Sequence, residues 1–190
     1  MIGSASAPAD FVGCPSAGWE GPRNRGARLR LPGQGEGVDV LRDVAWRHAA
    51  GTVYPEDLPM AAEEALARGV DSPALRELAG LGKGSATTEI EDLHRDALAE
   101  LGITSPGRQD AVRWWLGELA KDLVQGRLSV AGLARKIVPG EEWMAENEYR
   151  FADLAYYWED MVDLISAPQV RAAEIDLLDA ARAILPQTSR

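Results

Sequence analysis

The chain contains very little cysteine and histidine, and it has no long apolar run. Cys14 is the only cysteine among 190 residues, so an internal disulfide is excluded and a disulfide-built secreted scaffold is not expected. The only two histidines, His48 and His94, restrict metal binding and acid–base chemistry to few sites. No stretch of about eighteen consecutive apolar residues occurs. We therefore expect no membrane-spanning helix.

Positive charge is also scarce. The 20 lysines and arginines are outnumbered by 30 aspartates and glutamates, which gives a formal net charge of -10. This charge repels phosphate backbones, so nucleic-acid binding is not expected, whereas a basic protein is a favoured partner. Residues 1–10 have neither a basic nor an apolar signal-peptide region, and they include Pro8 and Asp10. The sequence therefore predicts a cytoplasmic protein.

The hydrophobic content of 46% is sufficient for a globular domain with a core. Residues 1–37 are rich in Gly, Pro, Ser and Arg and show no helical or strand period, which predicts a disordered tail. A single helical domain is predicted over residues 38–190. An alternative is that residues 1–37 are a mis-annotated extension, with Val38 at a GTG start codon.

From Val38 onward the apolar periodicity predicts an all-α fold, because no segment alternates with period 2. An irregular multi-helix bundle is favoured over a short helical-hairpin array, since the two similar Ser-Pro starts, Ser72-Pro73 and Ser105-Pro106, do not recur a third time. The predicted helices are Val38–Ala50, a helix after Pro59 ending at Gly69, Pro73–Leu78, a Thr88-capped helix to Leu101, Gln109–Gln125, Ser129–Val138, Trp143–Ile165 and a last helix from Ser166.

Motifs that would indicate an enzyme are not found. The glycine-rich loop at residues 80–85 lacks the P-loop order of glycine, lysine and hydroxyl residue, and no G-x-S-x-G elbow occurs. Glu91 and His94 have the E-x-x-H spacing of helical di-iron bundles, but those bundles use the motif twice and Ala45 precedes His48 where a second glutamate is required. Glu91 and His94 are thus weak metal candidates, and no catalytic residue or cofactor is predicted.

The segment Glu141–Ile165 combines aromatic and acidic residues. Phe151, Leu154, Ala155, Trp158, Val162 and Ile165 form a predicted core stripe. A second apolar row of Tyr157, Met161 and Leu164 lies beside Asp160 and Asp163, so the helix is either buried on most sides or exposes this row to a partner. Trp114 lies outside the apolar stripe of its own helix and is a further candidate for contact with a partner protein. The candidate partner-binding residues are Trp114, Tyr157, Asp160, Met161, Asp163 and Leu164.

Three stretches of the chain resemble segments of a known group of proteins. VLRDVAWRHAAG, EDLPMAAEEALARGVDSPALRELAGL and DALAELGI resemble segments of small uncharacterised helical proteins that are common in actinobacteria. The resemblance covers residues 38–125. It implies a compact helical domain and no particular chemistry.

These observations favour a non-enzymatic protein-binding module. It would be immunity-like, antitoxin-like or regulatory, and it would cover a basic partner with an acidic, aromatic helical surface. The alternative from another class is a helical metal-binding protein or enzyme built around Glu91 and His94. A third interpretation is a regulatory domain that binds a small ligand in the core of the bundle.

Overall fold

The structure, a computed structural model, describes residues 34–82 and 84–185, and within these ranges it contains nine α-helices and no strand. The predicted all-α fold is therefore confirmed for this part of the chain. The helices are α1 (Gln34–Ala49), α2 (Leu58–Ala67), α3 (Pro73–Ala79), α4 (Thr87–Glu100), α5 (Arg108–Val124), α6 (Val130–Ala134), α7 (Glu146–Tyr156), α8 (Trp158–Val162) and α9 (Ala167–Ile184). None of the helices in these ranges has the combination of length and apolarity that spanning a bilayer requires.

The helices build two apolar core clusters. The first cluster joins α1, α2, α3 and α4, and the second joins α5, α6, α7 and α9. The first is centred on fully buried side chains that include Leu41, Leu58, Leu75 and Leu78. The second is centred on Val112, Leu116, Leu133, Phe151 and Leu177. Each cluster is thus made by helices that are neighbours along the chain.

Helix α1 connects the two clusters. Leu41 and Ala45 belong to the first cluster, whereas Ala50, just after the end of α1, belongs to the second. Trp46 packs on Trp114 of α5 with ring centroids 5.5 Å apart. The Arg47 guanidinium lies 5.4 Å from the centroid of a further α5 ring, Trp115, in a cation–π contact. Aromatic packing between α1 and α5 therefore joins the two cores.

Several predicted helix ends are confirmed. The Ser72 hydroxyl accepts a hydrogen bond from the Leu75 N–H at 3.2 Å and caps α3. The Gln169 side chain accepts a hydrogen bond from the Ser166 N–H at 2.9 Å at the start of α9. Gly51, which follows α1, has a φ of 79°, a conformation that glycine adopts without strain.

Other predicted boundaries are wrong. Helix α4 begins at Thr87 after Ala86, so Thr88 does not cap it, and α5 begins at Arg108 after Gly107 rather than at Ser105-Pro106. Ser129 caps α6 as expected, but α6 ends at Ala134 instead of Val138.

The predicted long helix Trp143–Ile165 is two helices. Helix α7 begins only at Glu146, because the Ala145 N–H donates to the Glu148 carboxylate at 3.0 Å and this pairing fixes the first turn. The helix stops at Tyr156, and a turn at Tyr157 separates it from α8. The interruption occurs where the next side chain, Trp158, enters the core and is 5% exposed.

The predicted disordered tail, residues 1–37, falls mainly outside the described residues. Its last four residues belong to α1, so the boundary at residue 37 is wrong. Gly37 is buried where α1 meets the end of α2, and a Cβ atom there would overlap Val70 Cγ2 and lie 3.2 Å from the Ala65 carbonyl oxygen. The glycine that suggested a loop is therefore required for close helix packing.

We predict that Gly37→Ala destabilises the protein although alanine is the better helix former. Overlap with Val70 should lower the free energy of unfolding by about 1–3 kcal/mol, because overpacking outweighs the gain in helix propensity. Gly117, in α5, is the matched control, since a Cβ there meets no atom within 4 Å. Gly117→Ala should stabilise the protein by about 0.5–1 kcal/mol. Urea unfolding, monitored by circular dichroism, measures the free energy of unfolding of both variants. Equal stabilisation by the two substitutions would refute the close approach of Gly37 to Val70.

Candidate functional site

The segment from Glu141 to Ile165 begins with carboxylates that already have partners. Glu141 accepts hydrogen bonds from the Arg108 guanidinium at 2.8 Å and from the Trp143 indole at 2.7 Å. These two hydrogen bonds hold the pKa of Glu141 below its usual value. The bond from Arg108 has the larger effect and the bond from Trp143 the next largest. Glu148 pairs with Arg113 at 3.4 Å. Glu141 and Glu148 therefore join this part of the segment to α5.

The inward face of α7 and α8 follows the predicted core stripe. Phe151, Ala155 and Trp158 are buried, and Leu154 and Val162 are half-buried. These residues anchor the two helices on the second core cluster and on α6. The stripe is continuous even though the helix is interrupted at Tyr157, because α8 resumes with the tryptophan turned inward.

The outward face carries exposed aromatic and apolar side chains. Tyr156 and Tyr157 are 47% and 54% exposed, and their rings meet edge to face with centroids 5.2 Å apart. Leu164, in the turn after α8, is 84% exposed. Exposed carboxylates at Asp160 and Asp163 lie among them in the sequence. We call these five residues, Tyr156, Tyr157, Asp160, Asp163 and Leu164, the acidic aromatic surface.

Asp160 and Asp163 differ in their surroundings from Glu141 and Glu148. Within residues 34–82 and 84–185, no lysine, arginine or histidine nitrogen lies within 4.0 Å of Asp160 or Asp163. Their neighbour Glu159 is paired with Arg135, the residue after α6, at 3.2 Å. The two aspartates are thus available to a cation from outside this part of the chain.

Met161 and Trp114, which the sequence also predicted to contact a partner, are less exposed than Tyr157 and Leu164. Met161 is half-buried at the edge of the acidic aromatic surface. Trp114 is half-buried in α5, and its ring neighbours are Trp46 and Trp115 rather than the tyrosines of α7. Trp114 therefore belongs to the packing of α1 on α5.

The sequence-predicted pair Glu91 and His94 lies on α4, with Glu91 exposed and His94 buried. The structure brings to them His48, which the sequence analysis rejected as the histidine of a second E-x-x-H motif. His48 of α1 lies next to His94, with ring centroids 5.4 Å apart and ring planes at 88°. His48 Nδ1 lies 3.1 Å from the Val53 carbonyl oxygen, and since a carbonyl only accepts, Nδ1 carries the proton.

The environment of His94 disfavours its charged form. Burial, and secondarily the neighbouring His48, lower the pKa of His94 from 6.5 to about 4. Its Nε2 atom is buried and has no hydrogen-bond partner among the described residues. His94 is therefore a neutral ring at neutral pH, with an unsatisfied nitrogen.

The two histidines line a cleft of about 430 Å³ between α1, α4 and the connection to α5. Its other lining residues are Glu91, Arg95, Leu98, Ala99, Ile103 and Ser105. In the part of the chain that the structure describes, no group of three or more His, Cys, Asp or Glu side chains is arranged to hold a metal ion. No local sequence pattern predicts this pairing, because the histidines come from helices far apart in the chain.

We predict that His94 makes the protein sensitive to mild acid. The folded pKa of about 4 lies below the ordinary 6.5, so the unfolded chain binds the proton more readily. The free energy of unfolding should therefore fall as pH drops from about 6.5 to about 4, by about 3 kcal/mol in total, and should not change from this cause above pH 7.

Urea unfolding between pH 4 and pH 7.5, in buffer with a chelator, measures this dependence. His94→Leu removes the titrating ring, so its stability should decline less over the same range, while carboxylate titration remains common to both proteins. Parallel pH profiles for the wild type and the variant would contradict the assignment.

Comparisons with known proteins identify no relative, so functional conclusions depend on the geometry of the structure. No protein-family model, curated protein or solved structure matches the chain. The resemblance of residues 38–125 to small actinobacterial helical proteins thus stays a prediction. The two arrangements to be explained are the acidic aromatic surface and the histidine cleft.

Proposed function

We propose that the protein is a non-enzymatic binding module that holds a basic partner protein on the acidic aromatic surface. The observation that carries the proposal is the exposure of Tyr156, Tyr157 and Leu164 beside two aspartates without a described cation. Aromatic side chains are enriched at the energetic centres of protein interfaces. Covering Leu164 alone would contribute about 2 kcal/mol, because an almost fully exposed leucine gains most from leaving water.

Charge supports a basic rather than an acidic partner. The net charge of -10 attracts basic proteins over long distances and repels acidic ones, including further copies of this chain. Asp160 and Asp163 supply local acceptors for arginine or lysine, which adds specificity and faster association. An immunity-like, antitoxin-like or regulatory role, in which the module covers the working surface of its partner in the cytoplasm, fits these properties.

The anchoring of the surface supports binding without large rearrangement. Trp158 and Phe151 are buried beneath the exposed residues and fix α7 and α8 on the core. The exposed tyrosines have few rotatable bonds, so they lose little conformational freedom when a partner covers them. Interfaces of this kind need little ordering on binding.

We predict that a Tyr157→Ala, Leu164→Ser double variant loses the partner. The wild-type chain, immobilised and exposed to a lysate of its native host, should retain a basic protein at low salt. The purified partner should then bind the double variant at least about tenfold more weakly, since removing two hot-spot contacts costs more than about 1.4 kcal/mol. Binding should also weaken as salt is raised.

The matched control is Tyr54→Ala, Ile175→Ser, which removes an exposed tyrosine (64%) and an exposed isoleucine (58%) elsewhere on the chain. The control should bind as the wild type does. An acidic retained protein, or equal loss of binding in the control and the double variant, would refute the proposed surface. Circular dichroism of each variant checks that helicity is unchanged.

A further inference from the structure

The fold brings the only two histidines of the sequence into contact, from α1 and α4. We propose that His48 and His94 together bind a divalent late first-row transition-metal ion, with Zn²⁺ as the reference ion, through their Nε2 atoms. The site lies in the cleft between α1 and α4. It is separate from the acidic aromatic surface and does not depend on the protein-binding proposal.

Both rings have a nitrogen that is ready for coordination. His48 uses Nδ1 to donate to the Val53 carbonyl oxygen, so its Nε2 carries the lone pair. A ligating histidine commonly has this second hydrogen bond, which fixes its tautomer and ring orientation. His94 Nε2 is buried without a hydrogen-bond partner among the described residues. Buried polar atoms without a partner are rare, and a bound ion would satisfy this one.

The separation of the rings suits a shared ion. Two imidazoles that bind one tetrahedral zinc at about 2.0–2.1 Å have ring centroids roughly 5 Å apart. The centroids of His48 and His94 are 5.4 Å apart, which is close to this separation. The ring planes are at 88°, so the side chains rotate to direct both Nε2 atoms at one ion.

The surroundings favour a cation over an anion. Glu91, one helical turn before His94, lines the same cleft, and Arg95, the cation of the lining, is paired with Asp92 at 2.7 Å. No group of three or more candidate ligands exists among the described residues, so the two histidines are the protein ligands that we propose. The predicted E-x-x-H motif thus contributes its histidine, and its partner ligand comes from α1.

An edge-to-face contact offers a different explanation of the same geometry. The His94 N–H could donate to the π face of His48, which would satisfy the nitrogen weakly without an ion. The two explanations differ in the protonation of His94 Nε2. Coordination requires a lone pair on this atom, whereas the π contact requires a proton.

Nitrogen NMR of the imidazoles in the full-length chain tests the proposal directly. Cys14→Ser serves as background, so that the thiol does not bind the probe ion, and Zn²⁺ is titrated into chelator-treated protein. His48→Gln assigns the two ring systems, since the wild type contains no other histidine. We expect the Nε2 resonances of both rings to shift together and to saturate at one equivalent of Zn²⁺.

Affinity measurements on variants provide the second test. His48→Gln and His94→Gln should each weaken Zn²⁺ binding at least about tenfold, because each removes one of two protein ligands. Glu63→Gln, an exposed acidic change on α2, is the control and should leave the affinity unchanged. Zn²⁺ should also raise the midpoint of thermal unfolding of the wild type in a concentration-dependent way, since the ion binds only the folded pairing.

Several outcomes would overturn the proposal. These are an absence of any imidazole shift on Zn²⁺ addition, a shift of His48 alone, or a His94 Nε2 that remains protonated throughout. Equal affinity in the wild type and both histidine variants would do the same. The wild-type titration remains decisive even if His94→Gln does not fold.

Discussion

The contact between α1 and α5 is the interaction on which the rest of the structure depends. Each core cluster is made by helices close together in sequence, and α1 is the helix that contributes to both. Its C-terminal half places Trp46 on Trp114 and Arg47 over Trp115, and the same turn places His48 beside α4. The position of α1 therefore sets both the union of the two cores and the geometry of the histidine cleft.

The second core cluster supports the outward residues of α7 and α8 in a different way. Here Phe151 and Trp158 are buried, while Tyr157, between them in sequence, lies in the turn that separates the helices. Trp158 continues the buried stripe of Phe151 and Ala155 across the break, while Tyr156 and Tyr157 remain exposed. A surface suited to a partner and a well-packed interior thus lie on opposite faces of the same short segment.

The sequence was informative where one local signal decides the structure. The apolar stripe of α5 and the capping residues Ser72 and Ser166 are local patterns, and they predicted helices that the structure contains. The break at Tyr157 has no glycine or proline to announce it, so no local pattern predicted it. Gly37 was misread for a similar reason, since its close approach to Val70 depends on a helix crossing that no local pattern encodes.

The candidate sites also combine features that local sequence predicts with features that depend on tertiary packing. The sequence identified Tyr157, Asp160, Asp163 and Leu164 as neighbours on one face, because they are close along the chain. It also found the spacing of Glu91 and His94. The pairing of His94 with His48 required knowledge of where α1 lies relative to α4, which depends on the whole first core cluster.

The order of the helices along the chain has a consequence for how the two clusters form. In the first cluster the helices pack on their neighbours in sequence, as α2 does on α3 and α3 on α4, whereas the second cluster also joins α5 to the distant α9. Contacts between neighbouring helices close only short loops, so the first cluster can collapse before the second. The docking of α1 onto α5 also joins helices that are far apart along the chain. Changes at Trp46 or Trp114 would accordingly alter the cooperativity of unfolding more than changes within either cluster.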